Sequence, residues 1–340
     1  MPIFAELARL QNLRKRVGEL GEVREYGSVD YEGQSFPILS FHFGVKDATA
    51  PTLIFVAGVH GLEKIGTQVL SSFLESWLNL LRWDKTLKKM LKTTRVIFYP
   101  IVNPVGMFLN RRSNGNGVDL MRNAPGEDSD EALPLVGGHR ISPRLPWYRG
   151  KNGLEYEAQV LQKFIHEHCF QGGSSIVLDI HSGFGLKDSL WFPYAAHSRY
   201  YPEAPRVMGI KRLLDKSYPH HTYTIEPQHF SYMASGDLWD YFLDEHKASG
   251  VAGLFLPLCL EMGSWTWVRK NPRQIFSRLG LFNPMLPHRV MRAERRHFIL
   301  FNFLLKLVAS PDAWVKVPKD RMHILEKHAR RVWYPEVQAT

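Results

Sequence analysis

The spacing of apolar positions along this chain sets out an alternation of helices and strands. Over residues 4–20, Leu7, Leu10, Leu13 and Val17 recur at three- and four-residue intervals, which predicts an amphipathic helix. Polar alternation over 23–31 and 36–43 predicts two strands. The short, mostly apolar run 52–57, closed by Gly58, has the pattern of a strand covered on both faces of a sheet. A helix is predicted from about 63 to 81, then a strand over 95–102. A helix around 154–168, a strand over 175–180, a helix near 237–246, a strand over 253–260 and a long helix near 287–308 complete the pattern. Such alternation predicts an α/β fold, a sheet with helices on both faces.

Residues 103–153 break the pattern. They are rich in Asn, Gly, Pro and Arg and carry no periodicity, and so long an irregular stretch in a compact domain usually has a function. The most apolar segment near the end, Phe298 to Val308, is interrupted by Asn302 and Lys306, so it reads as a buried helix rather than a membrane span of roughly 20 apolar residues. The opening MPIFAELARLQNLRKR has neither the apolar core nor the cleavage site of a secretion signal. These features predict a soluble, cytoplasmic protein with no transmembrane helix. The basic tail 311–340 is expected to pack outside the sheet as a helix or to be partly mobile.

Composition narrows the class without choosing the function. With 340 residues, 44% of them hydrophobic, the chain can bury a sizeable core, which excludes disorder and small disulfide scaffolds. Its two cysteines, Cys169 and Cys259, cannot form a disulfide framework and suit a reducing compartment. The net charge of +10 favours acidic partners, whether nucleic acid, anionic lipid or a carboxylate-bearing substrate.

Candidate chemistry gathers at predicted strand ends. His60 and Glu63 follow the strand 52–57, where open α/β sheets place ligands. An imidazole and a carboxylate three apart can hold one zinc from one side, leaving room for a third ligand and a water. His323 and Glu326 have the same spacing but no strand before them, and read as a solvated helix face. His181 repeats the first context, at the end of the strand that carries Asp179. His166 and His168 fall at i and i+2 of a predicted helix, point to different sides and read as surface histidines. Glu261 ends a third apolar strand, where a carboxylate is either tuned for proton transfer or paired with an arginine. Cys259 faces the same side and reads as pocket lining rather than nucleophile. Arg112 and Arg122 lie in the irregular stretch. Without aromatic interleaving or a binding helix they suit a carboxylate or a developing oxyanion better than nucleic acid.

In this order, His60-Gly-Leu-Glu63, Arg112 through Gly117-Val-Asp-Leu to Arg122-Asn123, Asp179-Ile-His181-Ser182, Tyr232-Met-Ala-Ser-Gly236 with Trp239, and Glu261 resemble the zinc carboxypeptidase (carboxypeptidase A-like) family over about residues 50–265. The resemblance implies a single α/β/α domain with a mixed, largely parallel sheet. The chain itself reads as a helix over 1–22, a catalytic domain over 23–310 and the basic tail 311–340. It implies one Zn(2+) per chain on His60, Glu63 and His181, and Glu261 as the general base acting on a zinc-activated water. Arg112 is implied as the oxyanion stabiliser, Arg122 and Tyr232 as the grip on a substrate carboxylate, and Asp119 as the carboxylate behind His60. Trp239 and Cys259 are implied to line the side-chain pocket, and the Pro193–Tyr194 bond is expected to be cis.

Two departures from the family pattern stand out. Met121 replaces the Asn that usually precedes the carboxylate-binding Arg, and the spacing from Tyr232 to Glu261 is longer than usual. The implied activity is zinc-dependent hydrolysis of an amide bond in a small peptide or acyl-amino acid with an acidic end, with no nucleic acid or membrane partner. A deacylase of the succinylglutamate desuccinylase/aspartoacylase type, a murein-peptide amidase and a non-catalytic zinc-binding homologue remain as alternatives.

Overall fold

The structure, a computed structural model, describes residues 4–126, 129, 131–151 and 153–335. Eight strands form one mixed sheet: β1 (Glu22–Tyr31), β2 (Gln34–Gly44), β3 (Thr52–Ala57), β4 (Arg95–Tyr99), β5 (Ser175–Ser182), β6 (Ser189–Phe192), β7 (Thr224–Pro227) and β8 (Phe255–Met262). Their spatial order is β1-β2-β4-β3-β5-β8-β6-β7. The central strands β4, β3, β5 and β8 run parallel, whereas β1/β2, β2/β4 and β6/β8 are antiparallel. Every residue of β3, β4, β5 and β8 is buried, as two covered faces require.

Ten helices surround the sheet among the described residues: α1 (Ala5–Val17), α2 (Lys64–Trp83), α3 (Lys85–Met90), α4 (Pro104–Phe108), α5 (Tyr156–Cys169), α6 (Ala204–Ser217), α7 (Leu238–Ser249), α8 (Trp265–Lys270), α9 (Pro287–Val308) and α10 (Lys319–Trp333). Leu10, Leu13 and Val17 of α1 and Leu325, Ala329 and Trp333 of α10 belong to the same apolar core as the central strands, so the helices at both ends pack into one unit with the sheet. No described helix is long and apolar enough to cross a membrane. The Pro193–Tyr194 peptide bond is cis, as the resemblance led us to expect.

His168 departs from expectation. It is buried, not on the surface. Its Nδ1 lies 2.6 Å from an Arg95 amine and its Nε2 lies 2.6 Å from the Tyr26 hydroxyl. The expectation failed because α5 turns this side toward β1 and β4, a tertiary contact that helical spacing alone does not reveal. His323 and Glu326 do lie on a wetter helix face, where Glu326 pairs with Arg330.

Candidate active site

The central parallel strands end together, and each end delivers part of one site. His60 and Glu63 lie between β3 and α2, His181 lies near the end of β5, and Glu261 lies at the matching level of β8, paired in register with His181. The turn that carries His60 fits only because Gly61 has no side chain, since a Cβ there would sit 1.9 Å from the carbonyl carbon of Gly106 in α4. The first turn of α2 lacks a cap from its own N-cap residue. A distant residue supplies the bond instead: Asn283 Oδ1 accepts from Ile65 N at 2.8 Å, and its Nδ2 donates to Leu62 O at 2.8 Å. Nothing in the local sequence pointed to Asn283.

The irregular stretch is ordered by side chains that answer backbone groups. Asn103 Oδ1 accepts from Gly106 N, Asn114 Oδ1 from Asn116 N and Val118 N, and Asn123 Oδ1 from Glu155 N. This framework fixes Asp119, whose backbone N–H donates to Tyr148 O at 2.8 Å.

Three donor groups converge among these elements. His60 Nδ1 lies 2.8 Å from Glu63 Oε1, and His181 Nδ1 lies 3.3 Å from His60 Nδ1 and 3.2 Å from Glu63 Oε2. All three side chains are buried. Both rings turn Nδ1 inward because Nε2 is held from outside: that of His60 lies 3.0 Å from Asp119 Oδ1, and that of His181 lies 2.6 Å from Asp179 Oδ2. Two imidazole nitrogens and a carboxylate converging in this way, each ring backed by a second carboxylate, form a donor set that suits zinc.

The electrostatics follow from burial set against opposed charges. Burial works against the charge on Glu63, but the imidazoles of His60 and His181 outweigh it and hold the carboxyl below its ordinary range. Burial likewise opposes the charge on Asp119, and Arg112 and His60 overcome it. For His181, burial is outweighed by Asp179 and Glu63, which hold its pKa well above the usual value. Glu261 goes the other way. Burial, then the Glu63 charge, push it up to about 8. Its Oε1 accepts the Phe184 backbone N–H at 2.9 Å, and no arginine ion-pairs with it among the described residues.

A cavity of about 400 Å³ opens over the trio, and its wall includes Arg112, Met121, Arg122, Tyr232, Cys259 and Glu261. Arg112 spans two carboxylates, with Nε 2.7 Å from Asp119 Oδ2 and Nη1 3.3 Å from Glu63 Oε1. Arg122 is buried, donates from Nη1 to Met121 O at 3.3 Å, and holds its guanidinium carbon 5.6 Å from the centre of the Tyr232 ring. Phe184 and Trp191 meet that ring edge-on. Cys259 lies in the wall, and burial pushes its thiol well above the ordinary range.

Trp239 corrects an expectation. It does not line this cavity; its indole Nε1 donates to Asp179 Oδ2 at 2.7 Å, so it braces the carboxylate behind His181. As a residue of α7, which packs against β8, it reaches Asp179 on the neighbouring strand β5. The position of Asp179 was open to discovery from sequence, because residues two apart in a strand face the same side as His181.

A His–Glu–His donor set at the carboxyl edge of parallel strands, with the buried carboxylate of Glu261 beside it, defines a metallohydrolase type of centre. Residues 7–264 match the zinc carboxypeptidase family. Among curated relatives, the human carboxypeptidase N catalytic chain is 31% identical over 53% of this chain, and carboxypeptidase E of Caenorhabditis elegans is 30% identical over 36% of it. The matches span 40% and 29% of those relatives' own lengths. The carboxypeptidase A of Helicoverpa armigera shares the fold, with a TM-score of 0.64 at 19% identity over 88% of this chain and 71% of that one. The chain belongs to the zinc carboxypeptidase family, a family of zinc metallohydrolases.

Proposed function

We propose that this chain hydrolyses an amide bond next to the acidic end of a small peptide or acyl-amino acid, with one zinc ion held by His60, Glu63 and His181. The observation that carries this proposal is the convergence of those three side chains beside the buried carboxylate of Glu261, with which no arginine or lysine ion-pairs among the described residues. A zinc ion there supplies Lewis acidity, which polarises a carbonyl and acidifies water.

The chain's own groups divide the remaining work. Arg122, with Tyr232 beside it, grips the substrate's terminal carboxylate, which places the scissile carbonyl near Arg112. Arg112 is held in place by Asp119, so its guanidinium meets the developing oxyanion without reorganising. Glu261 takes a proton at its carboxylate and returns it to the leaving nitrogen. Its place at the matching level of β8, in register with His181, puts it beside the trio for both transfers. Met121 contributes a thioether where an amide donor would tighten the carboxylate grip, and this favours the deacylase type as the second reading. The two unpaired cysteines suit the cytoplasm as its location.

The experiment is hydrolysis of a panel of dipeptides, acylated amino acids and murein tripeptides by the zinc-loaded protein and by E261Q. We expect one class to be cleaved, with kcat lowered about 100- to 10,000-fold in E261Q while zinc stays bound. Undiminished turnover by E261Q removes Glu261 from the chemistry, and no cleavage across the panel by zinc-loaded wild type counts against the hydrolase.

A further inference from the structure

A second cleft, of about 490 Å³, adjoins the first. Arg112 and Trp147 line both, so the two spaces meet at the Arg112 guanidinium. Three more arginines, Arg111, Arg144 and Arg278, line the second cleft. Among the described residues its one acidic wall residue, Asp119, is buried and already bound to Arg112 and His60. Arg111, Arg144 and Arg278 are exposed, and none of their guanidinium groups has an ion pair or hydrogen bond among the described residues. Among the described residues, four guanidinium groups around one concave space, against one carboxylate that is already neutralised, focus positive potential into it. The planar fork of arginine pairs well with carboxylates.

Arg122 and Tyr232 line the first cavity but not the second. Building on the proposed function, a substrate whose terminal carboxylate lies on Arg122 and whose scissile carbonyl lies near Arg112 sends its preceding residues past Arg112 into the arginine-lined cleft. We propose that this cleft binds an acidic peptide segment, Glu or Asp residues on the acyl side of the scissile bond. Nucleic acid suits the cleft less well, because Trp147 is the one aromatic wall residue among those described and single-strand binding uses a series of stacking rings.

The binding probe is fluorescein-labelled tetraglutamate with an amidated end, which lacks the terminal carboxylate, and its control is labelled tetraglutamine amide. Anisotropy titration of the zinc-loaded protein should show tetraglutamate binding at least about tenfold tighter than tetraglutamine at low salt. That advantage should shrink as salt rises from about 50 to about 500 mM. It should vanish in the double variant R144E/R278E, in which both substituted residues are exposed and lie outside the catalytic set. Equal binding of the two probes, a preference that survives the double variant, or tighter binding of a labelled single-stranded RNA would each overturn the proposal. Hydrolysis separates this proposal from the one beneath it. For peptides with one shared carboxyl-terminal residue, the advantage of Glu-Glu over Gln-Gln before it should appear in KM and be lost in R144E/R278E. Cleavage without that advantage sinks the cleft assignment alone. Acid-selective binding with no cleavage of any peptide sinks the hydrolase and leaves the cleft assignment supported.

Discussion

Replacing Asp179 by Asn tests how the second His is held. Asp179 is fully buried, and one oxygen, Oδ2, takes both the His181 Nε2 contact at 2.6 Å and the Trp239 Nε1 donation at 2.7 Å. Asn keeps an oxygen in that position and removes the charge, so the ring stays oriented while its inward nitrogen becomes a weaker donor to the metal. Losing such a partner typically weakens metal binding about 10- to 100-fold, or about 1.4–2.7 kcal/mol. The structure decides which end of that range applies. Asp119, behind His60, already shares its charge with the Arg112 guanidinium at 2.7 Å, whereas no arginine or lysine pairs with Asp179 among the described residues. The charge of Asp179 therefore acts on His181 with only the neutral Trp239 indole sharing it, and no cation. D179N should lie near 100-fold and D119N nearer tenfold. Competition for zinc with a chromophoric chelator at neutral pH reads both constants, and thermal melting of the metal-free variants checks that they fold. Unchanged zinc affinity in folded D179N, or a larger effect of D119N, would refute the reasoning.

Two further outcomes follow from the same geometry. R112A removes the donor aimed into the cavity and should lower kcat about 100- to 1000-fold with a smaller change in KM, measured on whichever substrate the panel identifies; an effect confined to KM would contradict it. Stability should fall with acid through histidines outside the site. Burial, then nearby Arg24, depress His42 to about 3; burial, then His42 and Arg95, depress His168 to about 2; and burial depresses His297 to about 4. Below their unfolded value of about 6.5 the unfolded chain binds protons that the folded chain refuses, so stability is present above that pH and lost as pH falls toward the folded values. Urea unfolding of metal-free protein between about pH 6.5 and 5 should lose up to about 1.4 kcal/mol per pH unit for each of these histidines. Flat stability across that window would contradict their buried, neutral state.

Strands with a one-sided message were legible in the sequence. The run 52–57 is β3 as expected, and the periodic helix near 287–308 is α9 with the same bounds. Short elements were missed for a physical reason: β7 has four residues and α8 six, too few for a period to show, and both depend on neighbours already in place. The residues of the central trio could be named because each lies at or just beyond the end of an apolar strand, where a polar side chain stands out. Their supports were harder to see. The place of Trp239 depends on where α7 lands against β8, and that of Asn283 on a contact spanning 218 residues. The burial of His168 beside Arg95 is likewise a product of tertiary packing.

The most direct test of the central claim is zinc titration of the demetallated protein by calorimetry, alongside H60A and H181A. The account predicts one tight zinc site per chain, lost in either variant while the fold is kept. Folded wild type that takes up no zinc, or tight binding that survives both substitutions, would contradict it.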